Sequence, residues 1–155
     1  MKALFAGSFA PPTLGHLNII ERASKLCKEF YVGIATNSAK NTVFSLQEKV
    51  EMLREITQHL SNVKVVMIDG LTATYAKEHK IDVLIRGLRP TGLEEELQLA
   101  AANQLLTGIE TLFLPAEPSL MHISSTLIRE LASHGVRLQD YVPEKIEKRV
   151  FETFR

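Results

Sequence analysis

Short apolar runs alternate with longer helical segments throughout this 155-residue chain, and this alternation limits the fold more than any other feature of the sequence. Five runs have the length and composition of buried strands: 2–6, 30–35, 63–68, 81–85 and 111–114. Short apolar strands separated by helices are typical of a parallel sheet that is covered on both faces. We therefore predict an α/β fold, a single-domain, Rossmann-like, doubly wound parallel five-stranded sheet with helices on both faces.

Six helices are predicted between and after these strands. Four of them span 17–30, 72–79, 93–105 and 125–133. Another begins at the capping box Ser45-Leu-Gln-Glu48, from which apolar positions continue to Leu60. Gly135 suits the position after the 125–133 helix, and Pro143 opens the last helix.

Length, charge and cysteine count narrow the class of protein. With 45% hydrophobic and 23% charged residues, the chain is expected to form one domain over residues 1–155. Its 18 basic and 18 acidic residues balance, so it lacks the basic excess of a nucleic-acid-binding protein. No stretch approaches the roughly 20 apolar residues of a membrane span, and Cys27 has no partner for an intrachain disulfide. We expect a cytoplasmic protein that binds neither nucleic acid nor membrane.

Ligands of doubly wound sheets bind beyond the carboxyl ends of the strands. The segments that follow the predicted strands are therefore the ones to inspect, and they should face one crevice: 7–16, 36–40, 69–72, 86–89 and 115–126.

The first of these segments reads G-S-F-A-P-P-T-L-G-H from Gly7 to His16. Gly7 allows a tight turn after the strand, and the amides of Ser8 and Phe9 are placed to meet an anion. Thr13 can cap the next helix, which puts the His16 imidazole near the positive end of the helix dipole, where phosphate binds. The alternative interpretation is a capped helix with an incidental histidine.

Basic and hydroxyl side chains occur in the later segments. Arg86 and Arg89 can clamp phosphates by paired hydrogen bonds, although an ion pair with Glu94 or Glu95 would also explain an arginine there. Lys40 lies in a polar loop and could equally be a solvated lysine.

Residues at two predicted helix starts also have two interpretations. Ser124, Ser125 and Thr126 suit either helix capping or triphosphate binding, and Thr72 also opens a helix. The other histidines show no spacing suited to a metal site, and we predict none: His59, His79, His122 and His134.

Three motifs carry a family resemblance. Gly7–His16 resembles the T/H-x-G-H signature of the nucleotidyltransferase superfamily, which transfers nucleotidyl groups from nucleoside triphosphates to a phosphate or carboxylate. Ile85-Arg-Gly-Leu-Arg89 resembles the Arg-Gly-x-Arg motif of bacterial phosphopantetheine adenylyltransferases, and Ile123-Ser-Ser-Thr126 resembles their Ile-Ser-Ser-Ser/Thr motif. The three stand in register over nearly the whole chain. The resemblance implies a reaction of ATP with 4′-phosphopantetheine that gives dephospho-coenzyme A and pyrophosphate.

The resemblance also assigns residues. It implies that His16 is catalytic, donating a hydrogen bond to the α-phosphate. It places 4′-phosphopantetheine against Ser8, Lys40, Thr72 and Arg86. It places ATP against Ser8, Phe9, His16, Gly87, Leu88, Arg89, Glu96, Leu120, Met121, His122, Ile123, Ser124, Ser125 and Thr126. A carboxylate favoured by the helix dipole would also explain Glu96.

Cofactor, assembly and regulation follow from the same resemblance. Mg²⁺ is expected to arrive with ATP, because phosphate oxygens and waters supply most of its ligands. The family forms homohexamers, and coenzyme A is a possible feedback ligand.

The sequence departs from the family pattern at three places. Ala10 stands where the family commonly has Asp, and Leu93-Glu-Glu-Glu96 replaces a Phe-Glu-Tyr-Glu segment. Leu120 stands where an aromatic residue is often found.

Two other functions stay open at this stage. One is another adenylyl- or cytidylyltransferase of the superfamily, such as one acting on nicotinamide mononucleotide, and the other is a non-catalytic nucleotide-binding regulator. Arg86 and Arg89 argue against the first, and the presence of His16, Lys40 and Arg86 argues against the second.

Overall fold

A computed structural model of the chain describes residues 1–36 and 43–155. Within these residues, five strands form one parallel sheet in the order β3-β2-β1-β4-β5. The strands are β1 (Lys2–Gly7), β2 (Glu29–Ala35), β3 (Val63–Ile68), β4 (Val83–Leu88) and β5 (Glu110–Pro115). The helices are α1 (Leu14–Ser24), α2 (Leu46–Ile56), α3 (Thr72–Glu78), α4 (Leu93–Thr107), α5 (Ser125–Ser133) and α6 (Glu144–Phe154), with a 3-10 turn at Pro118–Leu120. The predicted doubly wound α/β fold is confirmed.

The sheet carries a core on each face because successive side chains of a strand point to opposite sides. Ala3 and Phe5 of β1 join the larger core, to which α1, α2, α5 and α6 contribute. Leu4 and Ala6 of the same strand join a smaller core with α3, and α4 lies beside α3. No helix in the described part of the chain is long and apolar enough to span a membrane.

Helix α1 differs from the predicted 17–30 helix at both ends. It begins at Leu14 because the Thr13 hydroxyl accepts a hydrogen bond from the His16 amide at 3.2 Å. It ends at Ser24, and the Leu26 amide closes the turn on the Ala23 carbonyl at 2.9 Å. The expected extension to residue 30 was wrong because the apolar spacing continues through this turn into β2.

The expected bounds of α2 and β4 also need correction. Helix α2 ends at Ile56, because the Leu60 amide bonds the Thr57 carbonyl in a separate turn. Strand β4 starts after Ile81, because the Ile81 amide closes the turn that follows α3. The strand continues to Leu88 because it stays paired with β5. Arg86 therefore lies within β4 rather than after it.

The centre of the sheet opens at its carboxyl end. Strand β1 is in register with β2 from Lys2 to Gly7, but with β4 only at Ala3 and Leu4. The order of the strands also reverses between β1 and β4, which is where doubly wound sheets bind their ligands. The fold thus places a crevice between the ends of β1 and β4.

Candidate active site

Two cavities occupy this crevice and share a wall. The first has a volume of about 270 Å³ and lies toward α1, the segment after β5 and the start of α5. The second has a volume of about 310 Å³ and lies toward α3 and α4. Ala6, Gly7, Ser8 and Arg86 line both. Ligands in the two cavities would therefore meet beside Ser8 and Arg86.

The predicted site residues divide between these cavities. The predicted ATP residues that line the first cavity are Ser8, His16, Gly87, Arg89, Glu96, Leu120, Ile123, Ser124 and Ser125. The predicted substrate residues that line the second cavity are Ser8, Thr72 and Arg86. Those that line neither cavity are Phe9, Leu88, Met121, His122 and Thr126. Lys40 lies outside the described residues, so its role stays a prediction.

His16 is held at the start of α1 by a capping box. Its Nδ1 accepts a hydrogen bond from the Thr13 amide at 3.0 Å, while the Thr13 hydroxyl accepts one from the His16 amide. A capping box ordinarily uses Glu or Gln at this third helical position, and here an imidazole takes that role. Because Nδ1 accepts, a neutral His16 ring carries its proton on Nε2.

The surroundings of His16 keep the ring neutral. Burial, with the guanidinium groups of Arg86 and Arg89, lowers the pKa of His16 from 6.5 to about 4. At neutral pH the side chain is therefore a hydrogen-bond donor without a charge, and it lines the first cavity.

The Phe9 side chain packs against the ring of His16. The Phe9 ring is 1% exposed and packs edge-on against His16 and Phe5, with centroids 4.9 and 5.5 Å apart. Its φ of 46° lies in the left-handed region, which is unfavourable for a bulky residue and is offset here by burial of the ring. The Phe9 side chain therefore packs against His16 and does not line the cavity, while an ATP contact through its backbone amide stays a prediction.

Arg86 crosses the gap between the separated strands. Its Nη1 donates to the carbonyl of Ala6, at the end of β1. Its Nε and Nη2 donate to the two carboxylate oxygens of Glu96 at 2.9 and 2.6 Å. The sequence suggested Glu94 or Glu95 as the alternative partner, but the arginine pairs with Glu96, which lies on the side of α4 that faces the cavity.

Arg89 connects the second motif to the third. Its Nη1 donates to the carbonyl of Ile123 at 2.6 Å, just before α5. Ser124 caps α5 by accepting the Leu127 amide at 3.1 Å. Ser124 and Ser125 both line the first cavity, so helix capping and exposure to a ligand coexist at this helix start.

The predicted ATP residues that line neither cavity have other surroundings. His122 is exposed and lies edge-on to Tyr141, and Thr126 is also exposed. Leu88 accepts the Ala116 amide through its backbone at 2.8 Å, which continues the pairing of β4 with β5.

The second cavity has lining residues that sequence reasoning did not single out. They are Leu71 before α3 and, on α4, Leu99, Asn103 and Leu106. The α4 residues are spaced at i, i+4 and i+7, which puts them on one helix face. In the sequence, the feature that could have pointed to these residues is Asn103, an amide side chain among the leucines of α4.

Carboxylates do not gather into a metal centre in residues 1–36 and 43–155. No group of three or more His, Cys, Asp or Glu side chains suited to holding a metal occurs there. The first cavity contains the Glu96 carboxylate, and both of its oxygens accept hydrogen bonds from Arg86.

Comparison with known proteins identifies sequence relatives. A sequence model of the cytidylyltransferase-like family matches residues 4–131. A phosphopantetheine adenylyltransferase from Cutibacterium acnes is 42% identical over 155 residues, covering 99% of each chain. One from Symbiobacterium thermophilum is 43% identical over 156 residues, covering 99% of this chain and 96% of its own.

Solved structures share the fold at low sequence identity. A Vibrio parahaemolyticus protein assigned as a nicotinate-nucleotide adenylyltransferase matches with a TM-score of 0.70 and 16% identity, covering 97% of this chain and 91% of its own. A lipopolysaccharide core biosynthesis protein from Thermoplasma volcanium matches with a TM-score of 0.54 and 21% identity, covering 76% and 96%. Identities this low establish a common fold and nothing finer.

Proposed function

The chain belongs to the phosphopantetheine adenylyltransferases of the cytidylyltransferase-like family, and we propose that it transfers the adenylyl group of ATP to 4′-phosphopantetheine. The products are dephospho-coenzyme A and pyrophosphate, in a late step of coenzyme A biosynthesis. The observation that carries this proposal is the pair of cavities that meet at Ser8 and Arg86. The sequence relatives favour neither a nicotinamide mononucleotide enzyme nor a non-catalytic regulator.

The reaction needs positioning and charge stabilisation rather than a general base. The nucleophile is an ionised phosphate oxygen of 4′-phosphopantetheine, and it bonds to the α-phosphorus of ATP. The bond from that phosphorus to the oxygen that bridges it to the β-phosphate breaks, and pyrophosphate leaves. The protein must hold two anions together and stabilise the charge on the α-phosphoryl oxygens.

Residues at the first cavity would hold the triphosphate. His16 is placed to donate from Nε2 to the α-phosphate, and its neutral state at physiological pH suits a donor that gives up no proton. Arg89 and the amides at the start of α5 would hold the β- and γ-phosphates, which become the leaving group.

Residues at the shared wall and the second cavity would hold the other substrate. Arg86 would bind its phosphate and Ser8 would orient it. Lys40, which lies outside the described residues, would bind the same phosphate, as the family resemblance implies. The pantetheine arm alternates amides with short apolar segments. Leucines at the second cavity suit those segments, Asn103 suits an amide, and Thr72 lies at the same cavity.

Mg²⁺ enters this scheme as part of the substrate. Phosphate oxygens of ATP and waters supply the oxygen ligands that the ion prefers. We place the reaction in the cytoplasm, as the family resemblance implies.

Assembly and feedback follow from the same proposal. We propose a homohexamer, and the leucines of α4 support an assembly, since none of its residues is buried within the chain. Coenzyme A contains both the pantetheine arm and the adenylyl group, so it would occupy both cavities as a feedback ligand.

Pyrophosphate release tests the function. Purified protein with ATP and Mg²⁺ should release pyrophosphate when given 4′-phosphopantetheine and not when given pantetheine, which lacks the attacking phosphate. The product should be dephospho-coenzyme A, and adding pyrophosphate to it should regenerate ATP. Nicotinamide mononucleotide should be inert. Pyrophosphate release with nicotinamide mononucleotide but not with 4′-phosphopantetheine would move the chain to the other substrate class.

A further inference from the structure

Arg86 is fixed on two sides before any substrate arrives. A guanidinium carries five N–H bonds, and three of those on Arg86 are donated to Glu96 and to the Ala6 carbonyl. One N–H on each terminal nitrogen remains outside these contacts. Arg86 lines both cavities, so its side chain lies at the wall where an attacking phosphate would meet the triphosphate.

Glu96 is the partner that sets this orientation. It lies in the first turn of α4, and its two carboxylate oxygens accept hydrogen bonds from Nε and Nη2 of Arg86. The pair is partly buried, with 29% of the Arg86 side chain and 21% of the Glu96 side chain exposed. A two-point contact of this kind restricts rotation of the guanidinium, which a single hydrogen bond would allow.

Two effects of this carboxylate oppose each other. Its negative charge repels a phosphate and partly neutralises Arg86, which weakens phosphate binding. Its two hydrogen bonds restrict the rotamers of the Arg86 side chain before the phosphate arrives. This restriction strengthens phosphate binding and aligns the nucleophile. The second effect requires that N–H groups of Arg86 stay outside the ion pair, and two of them do.

We propose that Glu96 is a positioning residue for the attacking phosphate, acting through Arg86. This inference rests on the proposed function. It assigns Glu96 a role different from the ATP contact that the family resemblance implies. In this arrangement Arg86 keeps its bonds to Glu96 and Ala6 while its two remaining N–H groups meet the phosphate.

Substitution of Glu96 separates these possibilities. Glu96→Gln keeps the shape of the side chain but offers a single acceptor, and its amide opposes an Arg86 N–H. We expect the KM for 4′-phosphopantetheine to rise roughly tenfold and kcat to fall, while the KM for ATP changes by less than about twofold. Glu96→Ala, which preserves helix propensity, should behave in the same way.

Matched controls define the background. Glu95→Gln removes a neighbouring, exposed carboxylate from the same helix turn, and both KM values should stay unchanged. Glu96→Gln should also have no further effect in the Arg86→Lys background. A lysine ammonium cannot make the two-point contact that a guanidinium makes with Glu96. Additive effects in the double variant would contradict action through Arg86.

Each other outcome overturns the inference. A rise confined to the KM for ATP would make Glu96 an ATP ligand. A fall in the KM for 4′-phosphopantetheine would make it an electrostatic competitor, and unchanged kinetics would leave it without a role. The wild-type protein decides the proposed function separately: if it does not turn over 4′-phosphopantetheine, that function fails before any variant is compared.

Discussion

The two ring nitrogens of His16 have separate tasks. Nδ1 closes the capping box with Thr13, and this fixes Nε2 as the donor available to the first cavity. Phe9 packs against the ring and limits its tilt. One residue therefore joins the start of α1 to the proposed chemistry, and a substitution there tests both tasks.

Replacing His16 with Gln distinguishes catalysis from capping. Gln is an ordinary partner in a capping box, so α1 should keep its start, but the rigid Nε2 donor is lost. We expect kcat to fall about a hundredfold or more, with modest changes in the KM of either substrate. His16→Ala should lose the same activity and additional stability, which urea unfolding would measure. A near-normal kcat in both variants would contradict the catalytic assignment.

The lowered pKa of His16 predicts a pH dependence of stability. The folded protein holds the ring neutral down to a pKa of about 4, whereas the unfolded chain protonates it near 6.5. The unfolded state therefore binds more protons below pH 6.5, and stability is lost as the pH falls toward 4. The loss is up to about 3 kcal/mol, since one pKa unit corresponds to ~1.4 kcal/mol.

Urea unfolding at pH 7, 5.5 and 4.5 checks this dependence. The difference in unfolding free energy between wild type and His16→Gln should shift in favour of the variant as the pH falls. A constant difference for His16→Gln would show that the ring titrates normally in the folded protein.

Sequence patterns predicted the role of a single residue well where its partner lies nearby in the chain. Thr13 and Ser45 were recognisable as helix caps because the partner of each lies three residues away. The pairing of Arg86 with Glu96 was not predictable, because three adjacent glutamates look alike in sequence. Only the angle at which α4 leaves β4 decides which of them meets the arginine.

At the scale of elements, the Ile68 and Leu4 side chains pack directly over Gly33 of β2, because this residue has no side chain. A Cβ built at Gly33 would lie 2.4 Å from Ile68 Cδ1 and 3.1 Å from Leu4 Cδ1. Both neighbours are fully buried, so neither can move into solvent. The smaller core under α3 is thus filled from three strands at once.

Gly33→Ala should therefore destabilise the fold. Overpacking of this kind costs about 1–3 kcal/mol, which urea or thermal unfolding would detect. Gly15→Ala is the matched control, because its Cβ would meet only Thr13 Oγ1 at an ordinary 3.4 Å and a helical alanine is favoured. Equal stability of Gly33→Ala and wild type would mean that Ile68 repacks without cost.

The sequence predicted which elements are strands or helices and in what order they occur, but it predicted their first and last residues less well. Strand β3 and helix α5 have the predicted bounds, since Asn62 and Asp69 flank the strand and the Ser124 cap and Gly135 flank the helix. The carboxyl end of β4 depends on backbone bonds to another strand, since β4 follows β5 to Leu88. Apolar spacing carries no information about such partners.

At the scale of the whole molecule, the long helix α4 has no residue that is buried within the described part of the chain. Its leucines are exposed by 40–86%, and Leu112 of the neighbouring β5 is also exposed. Exposed leucines gathered on one helix ordinarily mark a surface that other protein covers. The same helix supplies Leu99 and Leu106 to the second cavity, so an assembly through α4 would border the proposed pantetheine site.

Leu105→Lys tests whether α4 lies in a subunit interface. Leu105 is 86% exposed and does not line either cavity, and a lysine in the last turn of a helix is favoured by the dipole. Loss of assembly in this variant would therefore reflect the burial of a charge between subunits rather than a weakened helix. Light scattering should show a hexamer for wild type and smaller species for Leu105→Lys.

Leu26→Lys provides the comparison for this experiment. Leu26 is 60% exposed in the turn after α1, outside α3 and α4, so the same change there should leave the hexamer intact. If assembly shapes the second cavity, Leu105→Lys should also raise the KM for 4′-phosphopantetheine more than that for ATP. This follows because α4 contributes Glu96 to the first cavity but Leu99, Asn103 and Leu106 to the second, so the second depends more on this helix. A Leu105→Lys hexamer with unchanged kinetics would place the subunit interface on another face of the molecule.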